Sequence, residues 1–252
     1  MTPTLNRDRF RGALLGLAVG DAVGTTVEFK RPGSFAPVSD MVGGGQFGLQ
    51  PGEWTDDTST ALCLAESLIE CGGFDPTDQL ERYIRWYRHG HFSSTGAMFD
   101  IGNATRASLE RFERTSEPFP GSTDDRTAGN GSIMRLAPVA LFFARGTIAE
   151  VTDWAAESSR TTHGATQAVD ACRVLGALIA AAVCGASKQD LLKPNFWQWG
   201  DLDPAVAAVA AGSWRDKQPP AINGSGWCVE SLEAALWRSE RPTRSNRAAS
   251  RP

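Results

Sequence analysis

The sequence is short of the residues that build zinc and redox sites. Three histidines in 252 residues, widely scattered, leave little for a zinc centre. The five cysteines, Cys63, Cys71, Cys172, Cys184 and Cys228, contain no Cys-x-x-Cys pair. Cys63, Cys172 and Cys184 fall in apolar helical patterns, so reduced, mostly buried thiols in a cytoplasmic protein are expected. The first nine residues carry no apolar core of a signal peptide. The longest apolar stretch, Val174 to Cys184, is well short of the ~20 residues that span a bilayer. A basic excess is missing too: the formal net charge is −4, which argues against nucleic acid as the main partner. No Gly-Lys-Ser/Thr occurs, which excludes a P-loop. No strand–helix–strand rhythm and no solenoid-spaced repeat occurs, which argues against a parallel sheet or a repeat array.

What is present is helix after helix, and the fold class read from the chain is all-α. Ala61, Leu64, Ala65 and Leu68 recur at helical spacing. Asp75-Pro76 opens a second helix as N-cap and first-turn proline, and Gly90 stops it. A third follows Asp100. Thr147 to Glu150 spells a capping box. Ala165 to Cys184 is long, apolar and alanine-rich, hence central and buried. Pro204 opens a short alanine-rich helix, and Val229 to Trp237 reads as the last. Residues 1–237 form one helical domain on this reading. Residues 238–252, with five arginines, three serines and two prolines, read as a disordered, solvated tail. The loops Lys30–Gly52, Ser116–Asn130 and Asp216–Gly226 are long for a compact helical domain and are candidates for function.

The first helix places Gly12, Gly16, Gly20 and Gly24 on one face. Each glycine costs about 1 kcal/mol relative to alanine in a helix, so close approach of another helix or a ligand is expected there. Asp21 lies just inside the end of this helix and Glu28 just past it.

Several segments carry candidate chemistry. Thr55-Asp56-Asp57 opens a helix, and two readings fit. One is capping, with Thr55 as N-cap and two acids at the positive end of the dipole. The other is a hard-cation site, since clustered oxygen ligands suit Mg²⁺. Asp100 is either an N-cap or a carboxylate aimed into a cleft for acid–base work. Asn130-Gly131-Ser132 is either a turn or a set of backbone N–H groups that bind a diphosphate. A lone histidine, such as His163 just before the long apolar helix, is more often a structural hydrogen-bonder than a ligand. His89 and His91 flank a glycine and are expected in solvent.

In this order the segments resemble the ADP-ribosylglycohydrolase family. The matching stretches are Phe10 to Gly24 with Glu28, Glu53 to Thr58, Phe99 to Arg106, Asn130 to Pro138, and Ser159 to His163. The Asp-Ile-Gly-Asn form at 100–103 resembles the branch that removes ADP-ribose from arginine on dinitrogenase reductase. The resemblance implies a compact all-α domain with two Mg²⁺ or Mn²⁺ ions in a central cleft. It implies metal binding by Thr55, Asp56 and Asp57, with Glu28 close by. It sets Asp100 and Asn103 against the ribose and the leaving group, and Asn130, Gly131, Ser132 and His163 along the ADP-ribose pocket. Glu28 or Asp100 would be the catalytic carboxylate, and the partner would be an ADP-ribosylated protein or ADP-ribose. After Trp237 the family continues into a helix pair with a Gly-Asp-x-Asp-Thr motif, and no Asp follows Asp216 here. The expectation is an end that is truncated or out of frame, a weakened metal site, weak or absent hydrolysis, and an apolar face opened on the Ala165–Cys184 region or its neighbours. An inactive ADP-ribose-binding module is the alternative.

Overall fold

The computed structural model describes residues 6–241. Among them the chain forms ten α-helices: α1 Arg7–Gly24, α2 Asp56–Cys71, α3 Pro76–His89, α4 Asn103–Thr115, α5 Ala137–Phe142, α6 Ile148–Arg160, α7 Thr166–Val183, α8 Lys188–Leu191, α9 Pro204–Ala211 and α10 Cys228–Glu240. Strand-type pairing among the described residues is confined to isolated bridges such as Ser122 with His163 and Gly129 with Trp227. The all-α expectation holds.

Local signals placed the helices well. Asp75 caps α3 by accepting from the N–H groups of Thr77 and Asp78, Pro76 fills the first turn, and Gly90 ends the helix at φ 67°. Thr147 and Glu150 form both arms of the capping box on α6. α7 is the central helix. It packs along α6, and Gly176 makes this possible: a Cβ there would stand 3.1 Å from the Cβ of Ala155. α7 has the length and composition of a membrane span, yet most of it is buried inside the fold, as suits a core helix. The main core joins α2, α3, α4, α6, α7, α9 and α10 through residues such as Leu64, Leu80, Leu109, Val174 and Leu232. Burying each such leucine stabilises the fold by roughly 2 kcal/mol.

Four expectations are corrected here. α10 continues three residues past Trp237, and Arg241 lies over the Trp237 ring at 3.8 Å. The first residues assigned to the tail are thus helical, and 242–252 fall outside the described residues. Cys184 is exposed, with Cys71, while Cys63, Cys172 and Cys228 are buried. His91 is not free in solvent: its Nε2 lies 2.9 Å from Glu66 Oε2. The glycine face of α1 has no close neighbour among the described residues. Leu15 and Val19 beside it are 63% and 49% exposed. This apolar face belongs to α1, which packs against α7 and so is a neighbour of the Ala165–Cys184 region, while most of α7 is buried.

A carboxylate-lined cleft facing a glycine-rich loop

α1 delivers the first carboxylate. Asp21, on its last turn, reaches the start of α2, where Oδ1 accepts from Thr55 Oγ1 at 2.8 Å and Oδ2 from Thr58 Oγ1 at 2.7 Å. The same carboxylate accepts the backbone N–H groups of Thr55 and Thr58. Thr55 is the N-cap residue by position, but its side chain makes no capping bond. Asp21 supplies the cap from another helix. Thr55 is buried, and its hydroxyl hydrogen is committed to Asp21.

With α2 started this way, Asp56 and Asp57 occupy its first turn. Both line a cleft of about 1310 Å³ with Glu28 and Asp100. Asp100 is not the cap of α4, because Gly102 holds that position. Asp100 instead adopts φ 57°, in the left-handed region, and its carboxyl and that of Glu28 shift each other's titration. A non-glycine residue held there costs roughly 1–2 kcal/mol, which the rest of the site must offset.

The four carboxyl groups titrate abnormally. Burial, then Asp100 and Asp21, pushes Glu28 up to about 7. Burial, then Asp21, Glu28 and Asp100, pushes Asp57 up to about 7. Burial and Asp57 raise Asp56 well above the usual carboxylate range. Burial and Asp21 raise Asp100. No basic side chain is among the main influences on any of them. An all-oxygen donor set whose carboxyls raise one another's titration suits a hard divalent cation. Among the described residues, however, no three Asp, Glu, His or Cys side chains converge into a finished ion cage.

The opposite wall is the loop Gly129–Met134. Asn130 N–H donates to Gly226 O at 2.9 Å, and Asn130 Nδ2 donates to Ser231 Oγ at 3.3 Å. These bonds bring the Asn223–Gly226 segment into the wall. His163 is buried and borders the same loop. A Cβ on Gly131 would lie 2.8 Å from His163 Cε1 and 3.1 Å from Thr105 Oγ1, so only glycine fits. Asn103 opens α4 and is exposed in the cleft. Ser132 lies beneath the loop, with Ser159 Oγ donating to its Oγ at 2.9 Å, and it does not line the cleft.

The cleft thus gathers Glu28, Asp56, Asp57, Asp100, Asn103, Asn130, Gly131 and His163. Thr55 and Ser132 stand behind it. Sequence reasoning had placed Asp21 near Glu28 without seeing that it caps α2. The Asp216–Gly226 loop, a candidate by its length, reaches the cleft through Asn223-Gly224-Ser225, held by a bond that spans nearly a hundred residues. Phe29, beside Glu28, is 68% exposed and lines the cleft.

The model of the ADP-ribosylglycohydrolase family matches residues 2–249. A protein of Pseudomonas putida (strain GB-1), ADP-ribosylarginine hydrolase Tri1, is 47% identical over 237 residues, which is 94% of this chain and 62% of that protein. Tri1 of Serratia proteamaculans (strain 568) is 44% identical, over 91% of this chain and 62% of its own length. The ADP-ribosyl-[dinitrogen reductase] glycohydrolase of Rhodospirillum rubrum is 36% identical, over 71% of this chain and 59% of its own. The chain thus spans about three-fifths of the length of these relatives. A solved ADP-ribosylglycohydrolase-related protein complex is similar at TM-score 0.81 and 44% identity, over 93% of this chain and 76% of the other. The chain belongs to the ADP-ribosylglycohydrolase family.

Proposed function

We propose that the cleft hydrolyses the N-glycosidic bond between ADP-ribose and an arginine side chain of a protein. The observation that carries this reading is that Glu28, pushed up to about 7, and Asp100, raised above its ordinary value, line one cleft with the Asn130–Gly131 loop. A carboxyl pair holding one proton can give it to the leaving guanidino nitrogen and take another from the attacking water. Water oxygen bonds to C1 of the ribose, the C1–N bond breaks with its electron pair on nitrogen, and the pair ends in its starting protonation state. The strain toward an oxocarbenium-like centre is eased by the surrounding negative charge. With the Asn130 N–H held by Gly226 O, the Gly131 N–H is the loop group that would meet the diphosphate.

Asp56 and Asp57 would hold Mg²⁺ or Mn²⁺, with Glu28 close by and Thr55 positioned through Asp21. A bound divalent ion would supply Lewis-acid polarisation of ribose hydroxyls and water. The names of the Tri1 relatives support arginine as the modified residue.

The test is release of free ADP-ribose from an arginine-ADP-ribosylated protein by the 252-residue chain with added Mg²⁺, followed by mass spectrometry. Release that EDTA abolishes and Mg²⁺ restores supports the reading. A second reading is ADP-ribose binding without turnover, since Thr55, expected to hold metal, donates its hydroxyl to Asp21 instead. Calorimetric binding of ADP-ribose with no release would select it.

A further inference from the structure

Arg135 is fully buried and has no carboxylate partner among the described residues. Its guanidinium lies 4.5 Å from the centre of the Tyr83 ring. Its Nη1 donates to Gly131 O at 3.0 Å, and its Nη2 donates to Thr162 Oγ1 at 2.6 Å. Its Nε has no partner at all. Burying a cation without a counter-charge is expensive, so its place behind the Gly131 loop calls for a reason beyond packing.

The reason lies one bond further on. Thr162 Oγ1 is 2.8 Å from His163 Nδ1. A guanidinium can only donate, and a hydroxyl has a single hydrogen. Thr162 therefore accepts from Arg135, and its own hydrogen is left for Nδ1. The reverse arrangement, Nδ1–H donating to Thr162, would strand a buried hydroxyl hydrogen with no acceptor. A buried donor left unpaired in this way is costly. Nδ1 must then carry its lone pair, and the ring hydrogen sits on Nε2. Nε2 has no protein partner among the described residues, and the ring lines the cleft beside Gly129 and Gly131. Both glycines leave open the space that a side chain would fill.

We propose that Arg135, acting through the Thr162 hydroxyl, locks His163 as the Nε2–H tautomer and so fixes a neutral hydrogen-bond donor toward an oxygen of the ADP-ribose unit. The ligand rests on the function proposed above; the tautomer does not. Burial, then the Arg135 charge, holds His163 down to about 3. Arg135 is the one charged group among the influences on His163, with no carboxylate opposing it. The donor thus stays uncharged and correctly oriented across the physiological range. Arg135 and Thr162 are positioning residues here, because they act on the ligand only through His163.

Nitrogen NMR on the ¹⁵N-histidine-labelled full chain tests this. The expected result is an Nε2–H signature for His163 that does not change between pH 5.5 and 8. Thr162→Val should mix the tautomers, whereas Thr162→Ser should retain the wild-type signature. In calorimetry, Thr162→Val should weaken ADP-ribose binding about tenfold, the loss of one hydrogen bond of this kind, and Thr162→Ser should restore it. Parallel titrations with ADP and ribose 5-phosphate identify whether the diphosphate or the terminal ribose receives the bond, as the loss follows the fragment that carries it. An Nδ1–H or imidazolium signature in the wild-type chain overturns the proposal. So does Thr162→Val with the wild-type tautomer and affinity. A wild-type chain with the expected tautomer but no affinity for ADP-ribose would leave the relay standing and sink the ligand.

Discussion

Asp21 Oδ1 accepts a 2.8 Å hydrogen bond from Thr55 Oγ1, and through it the end of α1 fixes the start of α2. An intrahelical N-cap secures one helix end, whereas this cap also joins two helices. Asp56 and Asp57 inherit their position from it. Asp21→Ala is expected to lower stability by about 2 kcal/mol, at the upper end of cap substitutions. The melting temperature should fall by roughly 4–8 °C. Activity should fall with it, since the first turn of α2 would fray. Differential scanning calorimetry checks the first effect. A melting temperature equal to wild type would show that Thr55 and Thr58 cap α2 unaided.

The proton-sharing pair gives a second test. Asp100 is one of the groups that hold Glu28 near 7, after burial itself. Asp100→Asn keeps a side chain that tolerates the left-handed conformation while removing the charge. Glu28 should then titrate lower, toward its ordinary 4.5. The turnover rate should drop about a hundredfold or more, the usual scale of a lost acid–base group. Carbon NMR of the Glu28 carboxyl follows the first effect. An unmoved midpoint would mean that burial and Asp21 set it without Asp100.

Stability should depend on pH in a defined direction. Glu28 and Asp57, ordinarily at 4.5 and 3.8, are both raised to about 7. The folded chain therefore holds more protons than the unfolded chain between those limits, and stability falls as pH rises through about 7. His163 acts in the opposite sense, because the folded chain excludes its proton below 6.5. Above 6.5 its contribution is complete, which isolates the carboxylates. In metal-free buffer the melting temperature should thus fall between pH 6.5 and 8. Mg²⁺ should raise it, more at pH 8 than at 6, by replacing the missing counter-charge. A flat profile with and without Mg²⁺ would contradict both statements.

Gly131 is expected to be intolerant of any side chain. An added Cβ would meet His163 Cε1 at 2.8 Å and Thr105 Oγ1 at 3.1 Å, and the buried imidazole cannot move aside. Gly131→Ala should cost about 1–3 kcal/mol in stability, as overpacking does. It should also weaken ADP-ribose binding at least tenfold. Chemical denaturation and calorimetry together check this, and near-wild-type values in both would remove the loop from the site.

Much of the fold was legible because helix ends are written locally. Asp75-Pro76, Gly90 and Thr147–Glu150 act through neighbours within four residues, and each did what its spacing implied. The site was legible only in part. Asp100 carries the same residue type whether it caps a helix or faces a cleft, and nothing nearby in sequence reveals its φ of 57°. The glycine face of α1 suggested a close partner, yet among the described residues nothing approaches it. Cys184 shares the apolar pattern of α7 but lies at its end, where the pattern no longer implies burial.

By itself the sequence determined the helices, the candidate acids and the resemblance to a family. These follow from capping, periodicity and residue chemistry, all short-ranged. Only the tertiary structure decided which groups work on one another. Asp21 meets Thr55, Arg135 meets Thr162 and Asn130 meets Gly226 through chain reversals that no local rule encodes. Those contacts set where the first turn of α2 sits and what surrounds His163, because charge and hydrogen bonding act through space and not along the chain.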